Sequence, residues 1–472
     1  MRNTGTSPRR VLVVTTLCVV LVVGMVAAIN LALPQLAASP LRPSRTELVW
    51  IVDGYLLAFA CLLIPGGALG DRYGRRRVLA TGLAVFAAGS AVAGITSDVS
   101  TLLAARAVSG TGAAMVLPNT LALIVAVVPR DKRKAAVATW ASATGIGGIV
   151  GNLGGGLLVE LTSWRGLFAA VAPLALLALA ATLLWTPRTP TSDTPIDLPG
   201  TALLVLGFGA LLFGIIEAPE LGWGSATVVV AFGTAAALLA LFVLVELRRS
   251  RPLLDPRVFR SPMLRAGTTG IAVVFFGMFA LFFVNGQYLQ YVHGFGPMGS
   301  GAGVLPMAVA MVAGVKGSAR LGRRIGERGL VATGLLLVGS GLALLSLSGT
   351  ETPYWVYALL LVVTGFGVGL ANPTLSGDVV AALPARQSGV ASGLSGTARE
   401  LGSALGVAVL ATVMSGAGGA FPDAMGAGLR VVAAMVLVAG VPVVCWRPGV
   451  PIKTRTGDDG AHMHTTSLAE SP

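Results

Sequence analysis

Long apolar runs, interrupted by short polar breaks, set the pattern of this chain from residue 11 to residue 446. A helix needs roughly 20 apolar residues to cross a bilayer, so each run is the length of one span. The pattern predicts fourteen spans: 11–34, 47–70, 78–97, 100–128, 134–160, 164–186, 198–218, 226–247, 265–291, 301–321, 329–348, 354–380, 387–414 and 428–446. The period-two alternation of a membrane β-barrel is absent. The expected class is an all-α membrane protein.

Composition sharpens the picture. Hydrophobic residues make up 54% and charged residues 11% of the 472 positions, whereas soluble domains carry about a quarter charged. The formal net charge is +13. In a soluble chain that would suggest nucleic acid. Here the arginines sit in short loops, where they orient helices and meet anionic lipid, and no nucleic-acid partner is expected. With the N-terminus inside, the inner loops hold "DRYGRRR", "PRDKRK", "ELRRSRPLLDPRVFRSP" and "RLGRRIGERG". The outer loops hold "TSDVS", "ELTSWRG", "APELGWGS" and "GTETP"; Arg42 and Arg45 are the main exceptions. This asymmetry predicts a multi-pass plasma-membrane protein with both termini in the cytoplasm. The first run lacks a small-residue cleavage site. Cys18, Cys61 and Cys445 all lie in apolar runs and imply no disulfide framework. The tail after residue 447 reads as disordered and its His462–His464 stretch as solvated.

An internal repeat organises the spans. "LPNTLALIVAVVPR" resembles "ANPTLSGDVVAALPAR"; Pro118 and Pro373 stand 255 residues apart, as do Pro129 and Pro384. "LGDRYGRR" matches "LGRRIGER" at an offset of 252. The expected organisation is an N-terminal segment 1–10, a six-helix bundle 11–186, an insert of spans seven and eight over 187–264, a second six-helix bundle 265–446 and a tail 447–472. Two such halves around a cavity form a transporter architecture. No filter loop of a channel is visible.

Ionisable groups inside a span are costly and mark function by default. Asp53 lies about two turns into span two, among Trp50, Ile51, Val52 and Tyr55. A carboxyl there suits reversible proton binding or attraction of a cation; the alternative is an acid reaching the outer surface. Arg106 in span four reaches a similar depth and would cycle Asp53 between paired and protonated states, or form a fixed ion pair. Arg399 and Glu400 sit near the middle of span thirteen. Neighbours on a helix point about 100° apart, so one of the two faces the cavity; Glu400 is the proton or cation candidate, with a structural Arg399 pair as its rival. Lys316 reads as snorkelling, Asp378 as a gate acid, and Glu217 and Glu246 as interfacial. Phe275, Phe276, Phe279, Phe282 and Phe283 would line a cavity or simply pack.

The cluster "GALGDRYGRRRVL", between spans two and three, resembles the loop signature G-x-L-x-D-R-x-G-R-R-x-x-L of the major facilitator superfamily. Fourteen spans, with "WIVDGYLLA" just before the signature, look like its drug:proton antiporters. The resemblance covers the chain up to Cys445. It implies the major facilitator fold and a cytoplasmic gate carried by Gly67, Asp71, Arg72, Gly74 and Arg75. The second half has Arg323 where Asp71 stands, so no matching clasp is expected there. "LLAARAVSGTGAA" resembles the family's R-x-x-q-G-x-g-a-A, with Ser109 for glutamine. "GIGGIVGNLGGGLL" resembles the antiporter signature G-x-x-x-G-P-x-x-G-G through Gly147, Gly151, Gly155 and Gly156, with Asn152 for proline. In span one, Met25 occupies the position of the family's usual acid, which leaves proton coupling to Asp53 and Glu400.

The implied function is proton-driven export of a small, hydrophobic, drug-like molecule by a monomer, with the proton gradient as energy source and no cofactor. No phosphate loop for ATP and no nucleophile–base or metal-ligand cluster is present. A secondary importer of a metabolite would share the fold. A non-transporting receptor fits the buried charges and gate motif less well.

Overall fold

A computed structural model describes residues 7–129, 132–189, 191, 197–249, 252, 255–383, 388–417 and 419–447. Of the expected disordered tail 447–472, Arg447 is described and buried, contrary to that expectation; the remainder with its histidines lies outside these. Every long described element is a helix, because a backbone crossing lipid must satisfy its own hydrogen bonds. The order is α1 (Pro8–Ala37), α2 (Arg45–Tyr73), α3 (Arg75–Ile95), α4 (Val99–Val127), α5 (Arg133–Leu161), α6 (Trp164–Trp185), α7 (Leu198–Leu221), α8 (Ala226–Arg248), α9 (Pro262–Tyr291), a short α10 (Pro297–Ala302), α11 (Leu305–Leu345), α12 (Tyr354–Ala381), α13 (Ser388–Ala417) and α14 (Phe421–Trp446).

Among the described residues twelve helices are long and apolar enough to cross a membrane, and α5 contributes a shorter apolar stretch, Ile146–Leu161. α11 bends at Gly326, whose φ of 74° lies in the left-handed region that glycine favours. Its two arms correspond to two expected spans, and with α5 this accommodates the fourteen. Polar caps start several helices: Ser44 and Glu47 form a capping box on α2, and Asp98, Ser225 and Ser261 accept from the first turns of α4, α8 and α9.

α1 to α6 pack as one bundle through the pairs α1–α5, α2–α4, α3–α4 and α3–α6. α9 and α11 to α14 pack as the other through α9–α13, α9–α14, α11–α12 and α11–α14. α7 and α8 pair with each other, and α7 lies against both α2 and α13. The halves meet along α2–α13, α1–α9 and α5–α10. Asp71 and Gly326 mark the arginine-rich end of the bundles; the opposite end is arginine-poor.

Candidate functional site

The two central carboxyls belong to the seam where α2 and α13 cross. Three contacts set its register: Thr397 Oγ1 donates to the Ala60 carbonyl at 3.4 Å, Gly396 packs on Leu63, and Gly393 packs on Ile64. The helices run antiparallel, so a step up α13 is a step down α2. Glu400 therefore stands level with Leu57, one turn below Asp53. Gly393, Gly396, Thr397 and Glu400 share the α2-facing stripe of α13 at i, i+3, i+4 and i+7. Arg399 faces α9 instead, its guanidinium 5.1 Å from the Phe275 ring centre. The two neighbours thus meet different helices.

Asp53 is 0% exposed, and neither carboxylate oxygen has a hydrogen-bond partner among the described residues. Charge at this position is expensive unless a partner arrives. Arg106 is not that partner here. Its Nε donates to the Ile51 carbonyl at 2.8 Å, and its guanidinium lies 4.4 Å from the Tyr55 ring centre. Ile51 and Tyr55 are i and i+4 on one face of α2; Asp53, at i+2, points to the opposite face. The expected Asp53–Arg106 pairing has the right depth and the wrong side of the helix. α4 is held on this side by close approach: a Cβ at Gly110 would strike the Tyr55 carbonyl oxygen, and one at Gly66 the Ala114 carbonyl oxygen. The Tyr55 hydroxyl donates to the Val22 carbonyl at 3.4 Å and lies within electrostatic reach of Glu400.

The inserted helix α7 reaches the same seam. Trp50 Nε1 donates to Glu217 Oε1 at 3.1 Å, and Thr46 Oγ1 donates to Glu220 Oε1 at 2.6 Å. Thr412 Oγ1 of α13 donates to the Ile215 carbonyl at 2.8 Å. Glu217 is thus a helix–helix partner rather than the plain interfacial acid expected from its place near a span end. The signal that would have found it, a tryptophan one turn before Asp53, was visible without its partner. Of the span-nine phenylalanines, Phe275 and Phe283 are buried, and Phe276, Phe279 and Phe282 are half-buried against the core.

At the arginine-rich end, Gly74 has φ 95° and makes the tight turn from α2 to α3. Asp71 pairs with Arg75 at 3.1 Å, one turn on. Arg75 also donates to the Ala122 carbonyl of α4 at 2.8 Å, and its backbone N–H donates to Thr189 Oγ1 at 2.7 Å. Gly67 rests on Pro118, while Arg72 stacks on Tyr73 at 5.3 Å, outside the clasp. Among the described residues the second half has no ion pair between positions 323 and 327, the counterparts of Asp71 and Arg75, and its charges are joined differently. Glu327, at the repeat position of Arg75, accepts from Arg447 Nη2 at 2.9 Å, and Arg447 also holds Asp378 of α12. This cluster ties the end of α14 to α11 and α12, and Arg323 takes no part in its ion pairs.

The signature glycines of α5 are contact points. A Cβ at Gly147 would press on Val20 and Val23, at Gly151 on the Gly24 backbone, and at Gly155 on Ala28, all on α1. A Cβ at Gly156 would meet the Pro297 carbonyl of α10, in the other half. Gly148, on the same helix, faces open space. Gly151→Ala is expected to lower transport by about tenfold or more, because α1 and α5 must separate to admit the methyl. Gly148→Ala is the control and should leave transport within about twofold. Equal rates for the two variants, measured at equal expression, would discard the packing role.

Among the described residues no group of acids, histidines and cysteines is arranged to hold a metal. Residues 15–407 match the family described as the Major Facilitator Superfamily. The chain is 35% identical, over 82% of its length and 72% of the relative's, to a protein named multidrug resistance protein Stp from Mycobacterium tuberculosis. It is 34% identical, over 84% of its length and 74% of the relative's, to the tetracenomycin C resistance and export protein of Streptomyces glaucescens. In fold it resembles a crystal structure of the peptide transporter POT in complex with sulfate, with a TM-score of 0.70 at 16% identity, covering 94% of this chain and 95% of that one.

Proposed function

The chain belongs to the major facilitator superfamily, and we propose that it exports drug-like or antibiotic molecules across the plasma membrane in exchange for protons. The relatives named for multidrug resistance and for antibiotic export support the efflux reading. The observation that carries the proton reading is the Asp53–Glu400 seam: two buried carboxyls, one turn apart, on facing helices of the two halves. A seam between halves changes its packing as access alternates, so each carboxyl meets water from one side and then the other. Proton and substrate then take turns at one place, and the free energy of the proton gradient moves the substrate. Arg106 and Tyr55 brace the back of α2, and Arg399 braces α13 against α9. The Asp71–Arg75 clasp, with Gly74 in its turn and Gly67 and Arg72 flanking it on α2, works as the gate at the arginine-rich, cytoplasmic end. Gly147, Gly151, Gly155 and Gly156 let α5 close on α1 and α10 at the other end. Both termini lie in the cytoplasm, and the working unit is a monomer that needs no cofactor.

Purified protein in proteoliposomes, given a pH gradient and ethidium or puromycin as probe, tests this directly. Export with opposite proton movement is the expected result. Substrate and proton moving in the same direction would replace the exporter with a secondary importer.

A further inference from the structure

Contacts along α2 place four carboxyls on one ladder. Thr46 holds Glu220, Trp50 holds Glu217, Asp53 follows, and Glu400 stands level with Leu57. Thr46, Trp50, Asp53 and Leu57 are i, i+4, i+7 and i+11, one stripe of a helix. α7 packs on this stripe from one side, with Gly209 against Leu57, and α13 packs on it from the other. Each rung is one turn below the last, about 5 Å along the axis. Exposure falls along it: Glu220 is exposed, Glu217 half-buried, Asp53 and Glu400 buried. Other charges stay off the ladder. α8 carries none between Ala226 and Val245, α13 none from Leu401 to Ala417, and on α2 Glu47 is engaged by Ser44. Arg106 faces away from it, and Arg399, which packs against α9, lies within electrostatic reach of Glu400 at its inner end.

The geometry points to Glu217, on the inserted helix α7, as the entry station that passes protons from the arginine-poor mouth to Asp53 and on to Glu400. The path rests on the proton-coupled reading of the Asp53–Glu400 seam. Each hop releases a proton from one carboxyl as it binds the next carboxylate. Glu220, at the rim, gathers protons from the aqueous phase. The inserted pair of helices thereby acquires a role, since α7 brings to the seam an acid that neither six-helix bundle supplies there.

Three variants of the full chain in proteoliposomes, with ethidium as probe and a pH dye inside, separate this path from a purely structural role. Glu217→Gln keeps an acceptor for Trp50 and loses the titratable group, so proton flux should fall about tenfold. Glu217→Asp should recover most of it. Trp50→Phe removes the hydrogen bond and keeps the acid, so flux should fall clearly less than in Glu217→Gln. A structural role predicts the reverse order, with Trp50→Phe impaired and Glu217→Gln normal across external pH, and that result overturns the path. A second measurement needs no substrate. Trp50 emission, isolated by subtracting the Trp50→Phe spectrum, should respond to an imposed pH gradient, and Asp53→Asn should alter that response if the two acids exchange a proton. An unaltered response also overturns the path. If Asp53→Asn itself exchanges protons like wild type, Asp53 drops out of the coupled reading and Glu400 is left as the coupling acid. If Asp53→Asn is inactive while Glu217→Gln matches wild type, the path alone fails.

Discussion

Asp53→Asn is expected to lower proton-driven efflux by about 100-fold while the protein still folds. Asn has the shape of Asp and no titratable proton, so the replacement removes one property. Asp53 is fully buried, and neither oxygen has a partner among the described residues, so no ion pair or hydrogen bond is broken by the change. What is lost is the capacity to bind a proton in one state of the seam and release it in the other. Equal yield and an unchanged elution volume in detergent establish folding. Flux is then measured with an imposed pH gradient, and substrate exchange without a gradient serves as the second readout. The variant should retain downhill exchange, because the cavity keeps its shape, and lose uphill transport. Uphill transport at the wild-type rate would remove Asp53 from the mechanism and leave Glu400 as the coupling acid. Loss of both activities would identify Asp53 as a substrate contact instead.

The fold was legible where a single helix carries its own signal. Run length marks a span, a glycine in an arginine-rich turn marks a bend, and loop arginines mark an end; Gly74 and Gly326 both turn where the repeated motif places them. The charged site was legible in depth. A carboxyl at Asp53 or Glu400 stands out in an apolar run because so little else there is charged. What a single run does not hold is the register between helices distant in sequence. Arg106 shares Asp53's depth, yet which face of α2 it meets depends on where Gly66 and Gly110 let α4 press against that helix. Glu217 looked interfacial because distance from a span end is all that its own run reveals; its partner Trp50 is 167 residues away. Arg447 was hidden for a similar reason. It follows the last span and reads as the first residue of a polar tail, but α11 and α12 bring two acids to it.

That arginine carries the largest stability effect to be expected. Arg447 is 3% exposed; its Nη2 lies 2.7 Å from Asp378 Oδ1 and its Nε 2.7 Å from Oδ2, with Asp378 equally buried. Asp378→Ala leaves a buried guanidinium with no buried counter-charge, a loss of about 3–5 kcal/mol. Glu327, the third member, has a side chain 60% exposed, so water already screens its attraction to Arg447. Glu327→Ala should therefore cost less than about 1 kcal/mol. Buried pairs are expensive to assemble, so replacing both partners with apolar residues of similar size recovers most of the loss. The double variant Asp378→Leu with Arg447→Met should unfold in detergent close to wild type, well above Asp378→Ala. This ordering separates a desolvated pair from a surface bridge. If Glu327→Ala proved as damaging as Asp378→Ala, the exposed acid would be the anchor of the Arg447 cluster. If the double variant fell as far as the single, the two side chains would act on stability apart from each other. In transport, the double variant isolates the gate from the fold: it keeps α12, α11 and the chain leaving α14 packed, but removes the charges that would have to part when this end opens. Faster exchange than wild type at unchanged stability is the outcome expected of a clasp that resists opening.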